Sequence, residues 1–220
     1  MFRERLRSMN RPWALLLMLA SQAAIFSAIA PNFLTVGNFF EVTRFSVELG
    51  LLAVALTPII VTAGIDLSVG SMMGLSAVVL GAAHRDWHLS MVLAAAATLL
   101  VGFAGGALNA LLVAGLDLPP LIVTLASFSL FRGIAEGLTR GAVNYTAFPD
   151  RFLFLGQGYL FGVVPTQFLP FIAIVVAYGV LLHRSVIGRS LYAIGFTPAG
   201  SRYGGILRVD TLRLSRLSGP

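Results

Sequence analysis

One acid stands among apolar neighbours. In the run Thr62-Ala63-Gly64-Ile65-Asp66-Leu67-Ser68-Val69-Gly70-Ser71, Asp66 lies between two apolar stretches. A carboxylate costs about 2.5–3.5 kcal/mol at the centre of a bilayer, and less near an interface. Two readings are compatible with it. In the commoner one, Asp66 or Ser68 accepts the orphan N–H groups of a helix that starts there, and Gly64 ends the helix before it. In the other, the helix is broken and its polar residues line a solute cavity. Arg132 and Glu136 are spaced i, i+4, side by side on one helix face. They form either a self-neutralising pair that snorkels to an interface or a polar lining. Asn109 is a lone amide in an apolar run, a residue that usually bonds a neighbouring helix. The candidates for a solute path are therefore Asp66, Ser68, Asn109, Thr124, Ser127 and Arg132.

Catalytic patterns do not occur. The sequence holds no GxxxxGK[ST] phosphate loop, no HExxH and no GxSxG. His84 and His88 are four residues apart, with Asp86 and Trp87 between them in a short loop. Two such loop histidines are more often unliganded than metal-bound. There is no Cys, so disulfides and thiolate metal sites are excluded. No catalytic residue, metal or cofactor is expected in this chain.

The elements that must position these residues are apolar helices. Of 220 residues, 57% are hydrophobic and 11% charged, with a mean hydropathy of +0.89. Soluble domains carry about 25% charged residues, so most of this surface is expected to face lipid. Apolar stretches cover residues 12–30, 47–63, 69–83, 90–115, 121–139 and 169–182. A bilayer core needs about 20 helical residues. The third and sixth stretches are short, and the third is a candidate half-helix or re-entrant piece. The expected fold is an all-α polytopic transmembrane bundle of about six spans, with a short or broken third helix. The expected division is a transmembrane domain over 1–184 and a cytoplasmic segment over 185–220.

The net charge of +6 comes from clustered Arg residues between apolar runs, a topology pattern rather than a nucleic-acid surface. Arg3, Arg5, Arg7 and Arg11 precede the first stretch, and Arg184, Arg189, Arg202 and Arg208 follow the sixth. Six crossings put both clusters on one side, which the positive-inside rule makes the cytoplasm. The first stretch, ending at Ala28-Ile29-Ala30, also resembles a signal peptide, but its length and the spans after it favour an uncleaved helix. Gly70 with Gly74, Gly102 with Gly106, and Gly133 with Gly137 match small-xxx-small spacing and support close helix packing. Pro58, beside Thr57, suggests a kink.

The octet Gly64-Ile65-Asp66-Leu67-Ser68-Val69-Gly70-Ser71 resembles the signature of the membrane subunits of ribose-type sugar ABC importers. Pro31-Asn32-Phe33-Leu34-Thr35 with Asn38 is similar to that family's segment before its second span. Pro120-Leu121-Ile122-Val123-Thr124-Leu125, followed by Arg132-Gly133 and Leu138-Thr139, is similar to a later run. Gly188-Arg189-Ser190-Leu191-Tyr192-Ala193-Ile194-Gly195 resembles its cytoplasmic loop. Two departures occur: Ala110 follows Asn109 where the family has Gly, and Phe196-Thr197-Pro198 replaces an Asn-Ala-Ala run.

The resemblance implies a permease subunit that moves a small sugar from periplasm to cytoplasm across the bacterial inner membrane, multi-pass and with its N-terminus cytoplasmic. It implies three partners: an ATP-binding ABC subunit that uses the ATP, a periplasmic sugar-binding protein, and a second permease subunit. Gly188, Arg189, Ala193, Ile194, Gly195 and Gly205 become candidates for coupling to the ATPase. The outer loop with Tyr145, Phe148, Tyr159 and Phe161 would face the binding protein. Family members are roughly half as long again, so the chain is expected to be truncated at its C-terminus. Rival readings are a secondary transporter or channel, for which Asp66, Glu48 and Glu136 are the acids available, and an inactive truncated membrane protein.

Overall fold

The computed structural model describes residues 2–146, 148–162 and 164–197, with side chains from residue 13 onward. Helix α1 runs Phe2–Ile29, α2 Val36–Val61, α3 Val69–Arg85 and α4 Met91–Ala110, which continues as a π-helical turn, Leu111–Gly115. Helix α5 follows at Pro120–Thr139 and the short α6 at Asp150–Gln157. A two-residue hairpin pairs β1 (Tyr159–Leu160) antiparallel with β2 (Val164–Pro165). Helices α7 (Phe168–Arg184) and α8 (Val186–Phe196) complete the described chain.

The six expected stretches all fall on helices, but their lengths differ in kind. Three helices are long and apolar enough to cross a membrane by themselves: α2, α4 with its π turn, and α5. A fourth crossing exists if α7 and α8, bent by 70° at Ser185, count as one. Helix α3 and the apolar part of α1 (Trp13–Ile29) stop at 17 residues, about 25 Å of rise against a core of about 30 Å. The chain is an all-α, multi-pass membrane bundle with a short third helix. Its spans expose apolar side chains freely, as at Leu99, Phe103 and Ile122.

The helices form two groups. Helix α3 packs against α4 and α5, while α2 packs against α7 and α8. In the first group Leu75, Val79 and Phe131 are buried together, flanked by Met72, Val101 and Ala135. Close approach occurs at glycines other than those expected. A Cβ at Gly105 would meet Met72 and Phe131, one at Gly81 the Tyr145 ring, and one at Gly50 the Phe171 ring. The three small-xxx-small pairs meet nothing within 4 Å. They do not seat one helix of this chain on another, and Gly106 borders a cavity beside the α2–α3 break. Helix α1 stands apart, with every side chain from 13 to 26 exposed.

Local chemistry sets the boundaries. The Thr35 side chain accepts the Asn38 N–H at the start of α2. Helix α2 continues through Pro58, where Thr57 Oγ1 donates back to the Ala53 carbonyl. Its end is a Schellman turn: Gly64 N–H donates to Ile59 O and Ala63 N–H to Ile60 O. Ala63, at φ 59°, takes the left-handed position. Gly64 follows it because a Cβ there would press on Ile59 at 3.0–3.1 Å.

Candidate functional site

The segment from Thr62 to Ser68 is non-helical and carries the polar cluster. Asp66 Oδ1 accepts the Ser68 backbone N–H at 2.8 Å and the Ser68 hydroxyl at 2.7 Å. The capping expectation is thus corrected in detail. Ser68 donates and makes no side-chain cap bond, and Asp66 holds the turn that leads into α3. The reason is spacing, since Asp66 lies two residues before the helix cap and reaches the cap residue itself.

From Ser68 the polar contacts cross to two further helices. Asn109 Nδ2, near the end of α4, donates to Ser68 Oγ at 3.0 Å. Ser127, on α5, donates to Asn109 Oδ1. Ser68 and Ser127 are buried, at 2% and 4% exposure. Four of the six solute-path candidates therefore form one connected network. Thr124 sits one turn before Ser127 on the same buried face of α5, and its hydroxyl donates to Pro120 O at 2.8 Å.

Above this network lies a cavity of about 470 Å³. Its polar lining comprises Thr62, Asp66, Asn109 and Thr124, set among apolar residues such as Ile59 and Val113. Asp66 is the charged residue of this lining, and it has no ion pair among the described residues. A second hollow of about 380 Å³ lies around Phe33, Thr35 and Phe39 and is lined by no charged residue.

Arg132 is not brought to the cavity. It is exposed on α5 and pairs with Glu136 at 2.7 Å, the self-neutralising arrangement. The α8 candidates divide. Gly188 seats the chain on the Leu181 and Leu182 carbonyls, and Ser185 Oγ accepts its N–H. Arg189 is exposed and Ala193 half-buried. Ile194 lines the cavity, a role that sequence reasoning had not given it. A Cβ on Gly195 would lie 1.8 Å from the Val61 carbonyl oxygen, so α8 rests directly on the end of α2. Gly205 lies outside the described residues. Thr62 was also missed as a lining residue; its place directly before the break was the available signal.

A separate clasp ties the loop after α5 to the end of α3. Arg85 pairs with Asp86 at 2.7 Å and lies over the Tyr145 ring, and Tyr145 donates to Asp86 Oδ2 at 2.9 Å. The Arg85 guanidinium, then the Tyr145 hydroxyl, hold the Asp86 carboxyl below its ordinary value. His84 bonds the Leu89 carbonyl and stacks on Phe148. No group of three metal-ligating side chains occurs among the described residues. Of the other two aromatics expected in this loop, Tyr159 donates to Glu41, which also pairs with Arg44, and Phe161 is exposed.

Known permease proteins are about one-third identical to this chain over most of its length. The chain is 33% identical over 204 residues to the autoinducer 2 import system permease protein LsrD of Enterobacter sp. (strain 638), covering 90% of this chain and 62% of that protein. It is 34% identical over 186 residues to the ribose import permease protein RbsC of Escherichia coli K12, covering 83% and 57%. It is 33% identical over 209 residues to the permease protein LsrC of Yersinia enterocolitica, covering 95% and 57%. The chain thus spans about 57–62% of the length of these relatives. No solved structure matches it significantly. The sequence model described as "branched-chain amino acid transport system / permease component" matches residues 38–215. That stretch contains the break, the hydrogen-bonded network and both helix groups, and the chain belongs to this permease family.

Proposed function

We propose that this chain is the membrane permease subunit of an ATP-driven importer that carries a small polyhydroxylated solute, and that the cavity at the α2–α3 break is part of the path. The observation that carries the reading is the hydrogen-bonding sense of the cavity wall. Thr62 and Thr124 spend their hydroxyl protons on helix carbonyls, Ile59 O and Pro120 O. Their oxygens therefore face the cavity as acceptors, beside the acceptor-only carboxylate of Asp66. With the second N–H of Asn109 as a donor beside these acceptors, such a wall suits a solute with several hydroxyls pointing in different directions. It repels the carboxylate of an amino acid. The names of the ribose and autoinducer 2 relatives agree with the sugar class.

The orientation follows from charge. Arg3, Arg5, Arg7 and Arg11 at one end, and Arg184 and Arg189 at the other, face the cytoplasm in this reading. Helix α8 then presents its exposed Arg189 to an ABC ATPase. The loop that holds α6 and the hairpin faces a periplasmic solute-binding protein. A second permease subunit completes the pore, in the inner membrane. The test is reconstitution of the whole transporter, with its ATPase and binding protein, in proteoliposomes. Labelled ribose, arabinose and fucose are offered with ATP, or with an ion gradient alone. Uptake that requires ATP is expected. Gradient-driven uptake without the ATPase would overturn the proposal in favour of a secondary transporter.

A further inference from the structure

The network that joins the break to α4 and α5 has one fixed end. A carboxylate can only accept hydrogen bonds, and Asp66 Oδ1 lies 2.7 Å from Ser68 Oγ. The Ser68 proton therefore points at Asp66. Ser68 Oγ then has only lone pairs left for its partner on α4, 3.0 Å away. Asn109 must meet it with its NH₂ group. That turns the Asn109 carbonyl oxygen toward Ser127, which must donate. Every proton in the chain points the same way, from α5 through α4 to the break. The amide orientation, usually ambiguous from coordinates, is dictated here by the carboxylate at the far end. Burial of Ser68 and Ser127 keeps water from substituting for either neighbour.

The consequence falls on Asp66. Its Oδ1 is occupied twice, by the Ser68 N–H and the Ser68 hydroxyl. Its Oδ2 has no hydrogen bond among the described residues, and Asp66 lines the cavity.

We propose that Asn109 and Ser127 are positioning residues whose one-way hydrogen bonds hold Asp66 so that its second oxygen is kept for a hydroxyl of the solute. This rests on reading the cavity as a solute path. Ser127 is informative because it is not part of the cavity lining and acts only through Asn109. With Ser127 gone, the Asn109 carbonyl oxygen loses its donor, so Asn109 is anchored at one end only and holds Ser68, and through it Asp66, less firmly.

The experiment uses the whole transporter with its ATPase in proteoliposomes, and whichever of ribose, arabinose or fucose the wild type takes up best. Asp66→Asn should raise KM about 10- to 150-fold, the worth of a hydrogen bond to a charged group. Ser127→Ala should raise KM about 2- to 12-fold, the worth of one neutral hydrogen bond, with Vmax nearly unchanged. Ser127→Thr, which keeps the hydroxyl, should restore KM. A merely structural role would instead lower Vmax and folded yield together at constant KM, and that result overturns the proposal. Thr124→Val separates the two levels of the argument. If it raises KM while Asp66→Asn and Ser127→Ala do not, the path stands and the relay is refuted. If Thr124→Val, Asp66→Asn and Ser127→Ala all leave uptake unchanged, or if the wild type takes up none of the three sugars, the path itself is refuted and the relay with it.

Discussion

Gly195→Ala is the sharpest probe of how α8 is seated. The added Cβ would stand 1.8 Å from the Val61 carbonyl oxygen, 2.9 Å from its carbon and 3.3 Å from Thr62 Cα. Real Cβ contacts are not found under 3.0 Å, so the oxygen and α8 must separate by about 1.2 Å, the difference between 3.0 and 1.8 Å. All three neighbours are backbone and cannot rotate away. With α8 held at its start by Ser185 and Gly188, the shift acts about 15 Å along the helix and tilts it by about 5°. Overpacking of this kind costs about 1–3 kcal/mol, a fall of about 2–12 °C in the unfolding midpoint for a chain of this size. Gly105→Ala is the control. Its Cβ would also clash, at 2.0 Å with Met72 Cε, the free end of a flexible side chain that can swing aside, and would press on the buried Phe131 ring only at 3.0 Å. Thermal unfolding in detergent and ATP-driven uptake are measured for both. Gly195→Ala should lose stability and uptake together, and Gly105→Ala should lose distinctly less. Equal behaviour of the two variants would refute the seating of α8 on α2.

Two further outcomes follow from the geometry. The Asp86 carboxyl is held below its ordinary value near 3.8, so its contribution to the Arg85–Tyr145 clasp is complete above that value and is lost as pH falls through the lowered one. Protection of the Gly141, Ala142 and Val143 amides, taken relative to the intrinsic exchange rate at each pH, should hold at pH 5 and fall only below about pH 3.8, and Tyr145→Phe should lower it above that pH but not below. Gly133 and Gly137 face open space, so Ala at either position should stabilise the isolated chain by about 0.5–1 kcal/mol through helix propensity. Loss of stability instead would mean that something packs on that face.

The helices were legible because lipid demands long apolar runs, and each expected stretch falls on a helix, though 47–63 runs two residues past the end of α2. The details of the break were not. Sequence made Gly64 the natural left-handed residue, yet Ala63 takes that role because Gly64 is needed for close approach to Ile59. Asn109 was readable as a helix-bonding amide. Its partners were not, since the register of α4 against α3 and α5 depends on Gly105 meeting Met72 and Phe131. Ile194 reaches the cavity only through the 70° bend at Ser185, which a hydroxyl cap creates and hydropathy does not register. The glycine spacing misled, because the helices approach where a single glycine faces an aromatic ring or Met72. The loop after α5 hid α6 and a hairpin, too short for any periodicity to reveal.

The cavity beside the Thr62–Ser68 backbone is lined from both helix groups, by Ile59 and Ile194 of α2–α7–α8 and by Asn109 and Thr124 of α3–α4–α5. Its width therefore depends on how the two groups are set against each other as well as on the side chains that line it. A rotation of about 5° acting over about 10 Å of helix moves the facing walls by nearly 1 Å. If the cavity is the solute path proposed above, sideways compression by the bilayer and the girth of a bound solute act on the same degree of freedom, one drawing the two groups together and the other holding them apart.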